Sequence, residues 1–134
     1  MKAGYRTFET VAGEPYMIHE TAEVHDTAIG GWVYLGQGTS IQESTFGDYS
    51  YTAGDAQIIY TDVGKFCSIA SAVRIHAPNH PMWRASQHHF TYRAAQYGLG
   101  DDDGAFFQWR RDHWVTIGHD VWRYCNLTSG NSAG

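Results

Sequence analysis

The chain has 134 residues, 43% hydrophobic and 15% aromatic, the balance of a folded protein of single-domain length. Its net charge of -5 is uneven: residues 1–62 hold nine acids and two bases, residues 63–134 five acids and seven bases. That excludes the basic patch of a general nucleic-acid binder, and no apolar run reaches the roughly 20 residues of a membrane span. The opening MKAGYRTFET lacks the apolar stretch of a secretory signal, and Cys67 and Cys125 show neither a disulfide framework nor metal-site spacing. A soluble cytoplasmic protein is expected, with any anionic ligand lying against the second half.

In chain order, the first regularity is a step of six. Ile18 and Val24 are six apart, Ile29-Gly30, Leu35-Gly36 and Ile41 make a separate run of the same step, and Phe46-Gly47 falls one residue short. Val63-Gly64, Ile69-Ala70 and Ile75 resume it, and Ile117-Gly118 reopens it late. This period fits neither an amphipathic helix nor strand alternation. It fits a coil of short strands and tight corners. The aliphatic residue points inward, the next is small where the chain turns, and stacked coils pair as parallel strands. The expected fold is all-β, a parallel β-helix.

From His76 to Trp114 the rhythm stops. An excursion is expected to leave the coil after Ile75, carry a short helix near 84–97 and rejoin near Val115. Trp83, Phe90, Ala94 and Tyr97 have near-helical spacing, Pro81 suits a first turn, and Gly98 and Gly100 supply a stop. Excursions of this length are usually functional. After Val121-Trp122 the chain reads RYCNLTSGNSAG, a polar tail over 123–134 without repeat pairs.

The strings GDYSYTAGDAQIIYTDVGKFCSIASAVRIHAPNHPM at 47–82 and VTIGHDVW at 115–122 resemble the hexapeptide-repeat transferase superfamily. More narrowly, they are similar to its xenobiotic acetyltransferase branch, which includes chloramphenicol and streptogramin acetyltransferases, and to the hexapeptide transferase found with phosphonate-degradation genes. The resemblance implies a left-handed β-helix over 1–122 with an excursion at 76–114. It also implies a homotrimer with active sites between subunits, and an acetyl group moved from acetyl-coenzyme A, as co-substrate, to a small hydroxyl- or amine-bearing acceptor. The catalytic histidine of the branch follows the VGKFCSIA block in an Asn-His pair, here Asn79-His80. A histidine suits the task because its ordinary pKa lies near neutrality. Relatives continue beyond Asp-Val-Trp with further coils, so the resemblance leads to the expectation of a C-terminally shortened form.

Asn79 and Trp83, with Tyr49 and Tyr51 of the GDYSY segment, are the expected substrate-binding residues, in an aromatic-rich acceptor pocket. Cofactor-binding residues are not legible, and no metal is expected. Two rival readings are a shortened non-catalytic β-helix and a zinc enzyme of the γ-carbonic anhydrase kind. The second would draw ligands from His76 with His80, His88 with His89, or His113 with His119. Asp101, Asp102 and Asp103 are expected to form a solvated turn, or to attract a cationic acceptor. Cys67 reads as a small buried apolar residue, and Lys65 and Arg74 as cations facing an anionic ligand or solvent.

Overall fold

The computed structural model describes residues 3–76 and 79–124. These fall into two compact units, one formed by the residues up to His76 with those from Val115 onward, the other by those between, through Trp114. The first is a parallel β-solenoid of about 3 turns. It opens on an antiparallel hairpin of β1 (Tyr5–Glu9) and β2 (Pro15–His19). Then come β3 (Glu23–His25), β4 (Ala28–Ile29) and β5 (Tyr34–Leu35), followed by β6 (Ser40–Gln42), β7 (Thr45–Phe46) and β8 (Tyr51–Thr52). The next coil holds β9 (Gln57–Ile59), β10 (Thr61–Val63) and β11 (Ser68–Ile69). After β12 (Arg74–Ile75) the chain leaves, and it returns as β13 (Val115–Ile117) and β14 (Trp122–Arg123).

Three sheets result, in the orders β1-β2-β5-β8-β11-β14, β4-β7-β10-β13 and β3-β6-β9-β12. Every pairing is parallel except β1 with β2. The hairpin strand β1 covers the edge that β2 would otherwise leave open.

The register explains the apparent slip at Phe46. Val24 stacks on Ile41, Ile41 on Ile58 and Ile58 on Ile75, while Ile29, Phe46 and Val63 form a second column. Ile18, Leu35, Thr52 and Ile69 form the third. Neighbours in each column are separated by 17 residues. A coil is therefore two steps of six and one of five, and the short step recurs at the same corner each time. Hydroxyl side chains tighten it. Thr27 Oγ1 donates to the His25 carbonyl at 2.8 Å, Ser44 Oγ to Gln42 at 2.7 Å and Thr61 Oγ1 to Ile59 at 2.8 Å. Each bond spans two residues and closes the turn locally. Ser44 Oγ also accepts the Thr61 amide of the next coil at 3.1 Å, so one hydroxyl both bends a coil and joins it to its neighbour.

A second corner needs glycine. A Cβ on Gly47 would lie 2.5 Å from the Gly64 carbonyl carbon, and one on Gly64 2.6 Å from the Gly118 oxygen. Two residues further along, Trp32, Tyr49 and Phe66 take left-handed backbone angles, with φ of 58°, 62° and 59°. Bulky residues rarely do so. Their recurrence at one corner shows that the coil geometry imposes the conformation and that inter-coil pairing outweighs its local cost of about 1–2 kcal/mol per residue. Tyr49 stacks on Phe66 with centroids 4.9 Å apart and planes 2° from parallel.

Beside the aromatics runs a polar column. The Gly31 amide donates to Asp48 at 3.0 Å, Asp48 pairs with Lys65 at 2.8 Å, and the Lys65 amide donates to His119 Nδ1 at 2.9 Å. The hydrogen bond from Lys65, then that from the Gly31 amide, lowers the Asp48 pKa below the ordinary carboxylate range, and the same pair raises that of Lys65. Lys65 is thus engaged within the coil. Arg74 is exposed on β12.

The core is a narrow prism of Val33, Leu35, Ile41, Phe46, Ile58, Val63, Ile69 and Ile75, each at most 3% exposed. Cys67 belongs to it as expected, fully buried, its thiol donating to the Gly118 carbonyl at 3.0 Å.

The second unit differs from the sequence expectation in where its helix lies. Over 84–97 there are only two 3₁₀ turns, His89–Thr91 and Ala94–Tyr97, and the helix is α1 (Gly104–Asp112). Local side-chain bonds prevent the earlier helix. The His88 amide donates to Ser86 Oγ at 3.2 Å and His88 Nδ1 accepts the Phe90 amide at 3.1 Å, offering the backbone alternatives to a helical ladder. Gly98 ends the second turn in the left-handed conformation, at φ 67°, the stop its position implies. Asp103 caps α1, accepting the Phe106 amide at 3.1 Å, and Arg110 and Arg111 sit in the last turn where the helix dipole favours cations.

The aspartate triplet is accordingly not a simple solvated turn. Asp103 also forms an ion pair with Arg84, and Asp102 accepts the Ala95 amide at 3.0 Å. The hydrogen bond from Arg84, followed by that from the Phe106 amide, lowers the Asp103 pKa. Asp101 alone of the three is exposed with no such role among the described contacts.

Candidate functional site

The second unit holds a groove of about 430 Å³ lined by Asn79, His80, Met82, Trp83, Gln87 and Trp109. Pro81 is fully buried and fixes the chain just after His80. Trp83 packs edge-on against Trp109, centroids 4.9 Å apart, yet stays 62% exposed, and Met82 is 79% exposed. One wall is thus apolar and open, and the other carries the imidazole.

His80 Nδ1 lies 2.8 Å from the Gln87 carbonyl oxygen. A carbonyl can only accept, so this contact requires the proton on Nδ1 and leaves the Nε2 lone pair available in the neutral ring. The Tyr92 hydroxyl stands 3.5 Å from the same Nδ1, a secondary contact. Such an imidazole can take a proton through Nε2 from a group held in the groove.

Behind the groove lies Arg110, only 6% exposed although charged. Its Nε and Nη2 donate to the Asn79 carbonyl at 3.2 and 2.7 Å, and Nη2 donates to the Tyr92 hydroxyl at 3.2 Å. The guanidinium lies over the rings of Tyr92, Phe106 and Phe107 at 4.8, 4.6 and 5.9 Å from their centroids. Tyr92 and Phe106 stack at 4.2 Å. Arg110 is not legible as part of a site from the sequence, because its partners are distant in the chain. A helix carrying Phe106 and Arg110 four apart on one face was the available signal.

Of the expected residues, Asn79, His80 and Trp83 line this one groove. Tyr49 and Tyr51 line another, on the solenoid, of about 580 Å³ and shared with Tyr5, Trp32 and Tyr34. That face is aromatic because outward positions of successive coils stack, Tyr34 beside Tyr51.

Among the described residues no three His, Cys, Asp or Glu side chains are grouped to hold a metal ion. The rings of His88 and His89 meet at right angles, with centroids 4.7 Å apart, and His89 Nε2 is hydrogen-bonded to the Tyr97 hydroxyl. No helix among the described residues is long and apolar enough to cross a membrane. Cys125 and most of the expected tail lie outside the described residues. No protein-family profile, curated protein or solved structure matches the chain.

Proposed function

We propose that the chain is an acyltransferase that moves an acetyl group from acetyl-coenzyme A to a hydroxyl or amine of a small acceptor, with His80 as general base. The reading extends to a left-handed coil of the hexapeptide-repeat, xenobiotic acetyltransferase kind, acting as a cytoplasmic homotrimer. One observation carries it: His80 gives its Nδ1 proton to a backbone carbonyl at 2.8 Å while lining a groove with an exposed apolar wall. A groove of about 430 Å³ is of the size small-molecule sites take.

In this reading Nε2 takes the acceptor proton as the acceptor oxygen or nitrogen attacks the thioester carbonyl. The carbon–sulfur bond then breaks, and the imidazolium returns that proton to the departing thiolate. The imidazole ends neutral, and no acyl group is ever attached to the protein. The exposed Trp83 and Met82 offer apolar surface to the acceptor, and Tyr49 and Tyr51, which line the groove on the solenoid, are kept as further expected substrate contacts.

Thiol release from acetyl-coenzyme A across a panel of hydroxyl and amine acceptors, wild type against His80→Ala, tests the reading. Loss of a general base is expected to lower kcat by about 10²–10⁴ with a small change in KM. Equal turnover in the two proteins removes His80 from the chemistry. Calorimetric titration with coenzyme A is expected to show binding, and its absence refutes the transferase reading as a whole.

A further inference from the structure

We propose that Arg110 is a positioning residue for His80, clamping the Asn79 carbonyl so that the imidazole is held with Nδ1 against Gln87 and Nε2 left as the base. The inference rests on the role of His80 proposed above. A buried guanidinium requires a reason. Removing its charge from water is costly unless its N–H groups are satisfied. Yet its hydrogen bonds go to a main-chain carbonyl and a tyrosine hydroxyl, with an aromatic cage around the guanidinium. A residue serving only to tie the excursion together would need no charge, since a Leu or Met in the same cage would bury more apolar surface at lower cost.

What the fork supplies is direction. Two N–H groups converge on one oxygen, that of Asn79, and this fixes the plane of the peptide joining Asn79 to His80. That plane sets where the His80 side chain begins. The same Nη2 holds the Tyr92 hydroxyl, which is 3.5 Å from His80 Nδ1, so the ring is approached from its backbone and from its flank by one cation. Buried Pro81 limits the chain on the other side. Free imidazole favours a proton on Nε2, the tautomer that is useless as a base at that nitrogen. Holding the ring against the Gln87 carbonyl reverses the preference, and the grip on Asn79 keeps it there.

The test reads the imidazole itself. Protein labelled with ¹⁵N-histidine is examined by two-bond ¹⁵N–¹H spectra, at a pH where the ring is neutral, in wild type, Arg110→Met, Arg110→Lys and His80→Ala, the last assigning the signal. Wild type is expected to show the Nδ1–H tautomer of His80. Arg110→Met is expected to reverse the preference towards Nε2–H. Arg110→Lys keeps the charge and the stem but has no fork, and it is expected to show a mixture. An unchanged Nδ1–H tautomer in a folded Arg110→Met protein overturns the proposal. If that protein does not fold, the same result in Arg110→Lys overturns it.

Kinetics supply an independent arm. Arg110→Met is expected to lose about 10–10²-fold in kcat with little change in the KM for acetyl-coenzyme A, the signature of a misaligned base. A rise in KM alone counts against positioning. Failure of the transferase reading shows as absent turnover in wild type, whereas failure of this inference shows in the tautomer spectrum, so the two are distinguishable.

Discussion

Replacing Gly47 by alanine tests the solenoid at a close approach between the main chains of successive coils. The new Cβ would lie 2.5 Å from the Gly64 carbonyl carbon and oxygen and 2.8 Å from the Lys65 nitrogen. All three are main-chain atoms of the next coil, so no flexible side chain can yield, and the coils must separate. Separation strains the bond from the Gly47 amide to the Val63 carbonyl, 2.8 Å, and that from Ser50 Oγ to the Gly64 carbonyl, 2.7 Å. Overpacking costs about 1–3 kcal/mol, and each weakened bond about 1 kcal/mol. The expected loss is about 3–5 kcal/mol, or about 12–20 °C in Tm for a chain of this size. Two controls make the test specific. Gly118 occupies the same column, but no atom among the described residues lies within 4 Å of its added Cβ, so Gly118→Ala is expected to stay within about 0.5 kcal/mol. Gly104 opens α1 with open space around it, and Gly104→Ala is expected to add about 0.4–1 kcal/mol. Urea and thermal unfolding by circular dichroism measure all three. Equal losses in Gly47→Ala and Gly118→Ala would refute the stacking argument.

Two further outcomes follow from polar groups in the coil and the excursion. Thr52 occupies an inward position and shares a 2.8 Å hydrogen bond with buried Thr39 while accepting the Gly36 amide at 3.0 Å; Thr52→Val is expected to cost about 1–3 kcal/mol, and adding Thr39→Val to recover part of it, as a double-mutant cycle would show. Asp48 and Asp103 have lowered native pKa values, so the stability they lend is complete above the unfolded carboxylate pKa of about 3.9 and lost as pH falls through the native values. Lys65, raised, lends stability in full below about pH 10.4 and loses it only as pH rises through its native value. Urea midpoints between pH 2 and 7 are therefore expected to fall on the acid side, and to fall less steeply in Asp48→Asn and Asp103→Asn. Parallel curves in all three proteins would remove these carboxylates from the explanation.

The coil was legible because its inward residues are mostly aliphatic and its turns mostly small, a pattern only stacked short strands produce. What obscured it was chemistry that does not look apolar. Thr52 stands in a column with Leu35 and Ile69 because its hydroxyl has a buried partner in Thr39, which a sequence cannot show. The five-residue step at Ser44 reads as a slipped register until its hydroxyl is seen to close the turn. Arg123 takes the inward register position opposite Ile69, so the aliphatic rule fails there although the parallel pairing continues.

Helix placement failed for a related reason. Spacing of large residues over 83–97 favours a helix, but His88 and Ser86 satisfy the backbone locally and prevent it, while the cap on α1 comes from an aspartate that composition assigns to a turn. The site divides along the same line. That an imidazole follows the repeat block is a property of a short string, and a string can carry it. Which nitrogen of that imidazole is free depends on a carbonyl seven residues on, and the peptide that bears the ring is gripped by a guanidinium 31 residues away. Identity of a base is local information; its orientation is tertiary. A sequence pattern can therefore nominate His80 as the proposed base, but a chain with the same Asn-His pair and no cation at the position of Arg110 would lack the grip on the Asn79 carbonyl by which, in the proposal above, the tautomer is held.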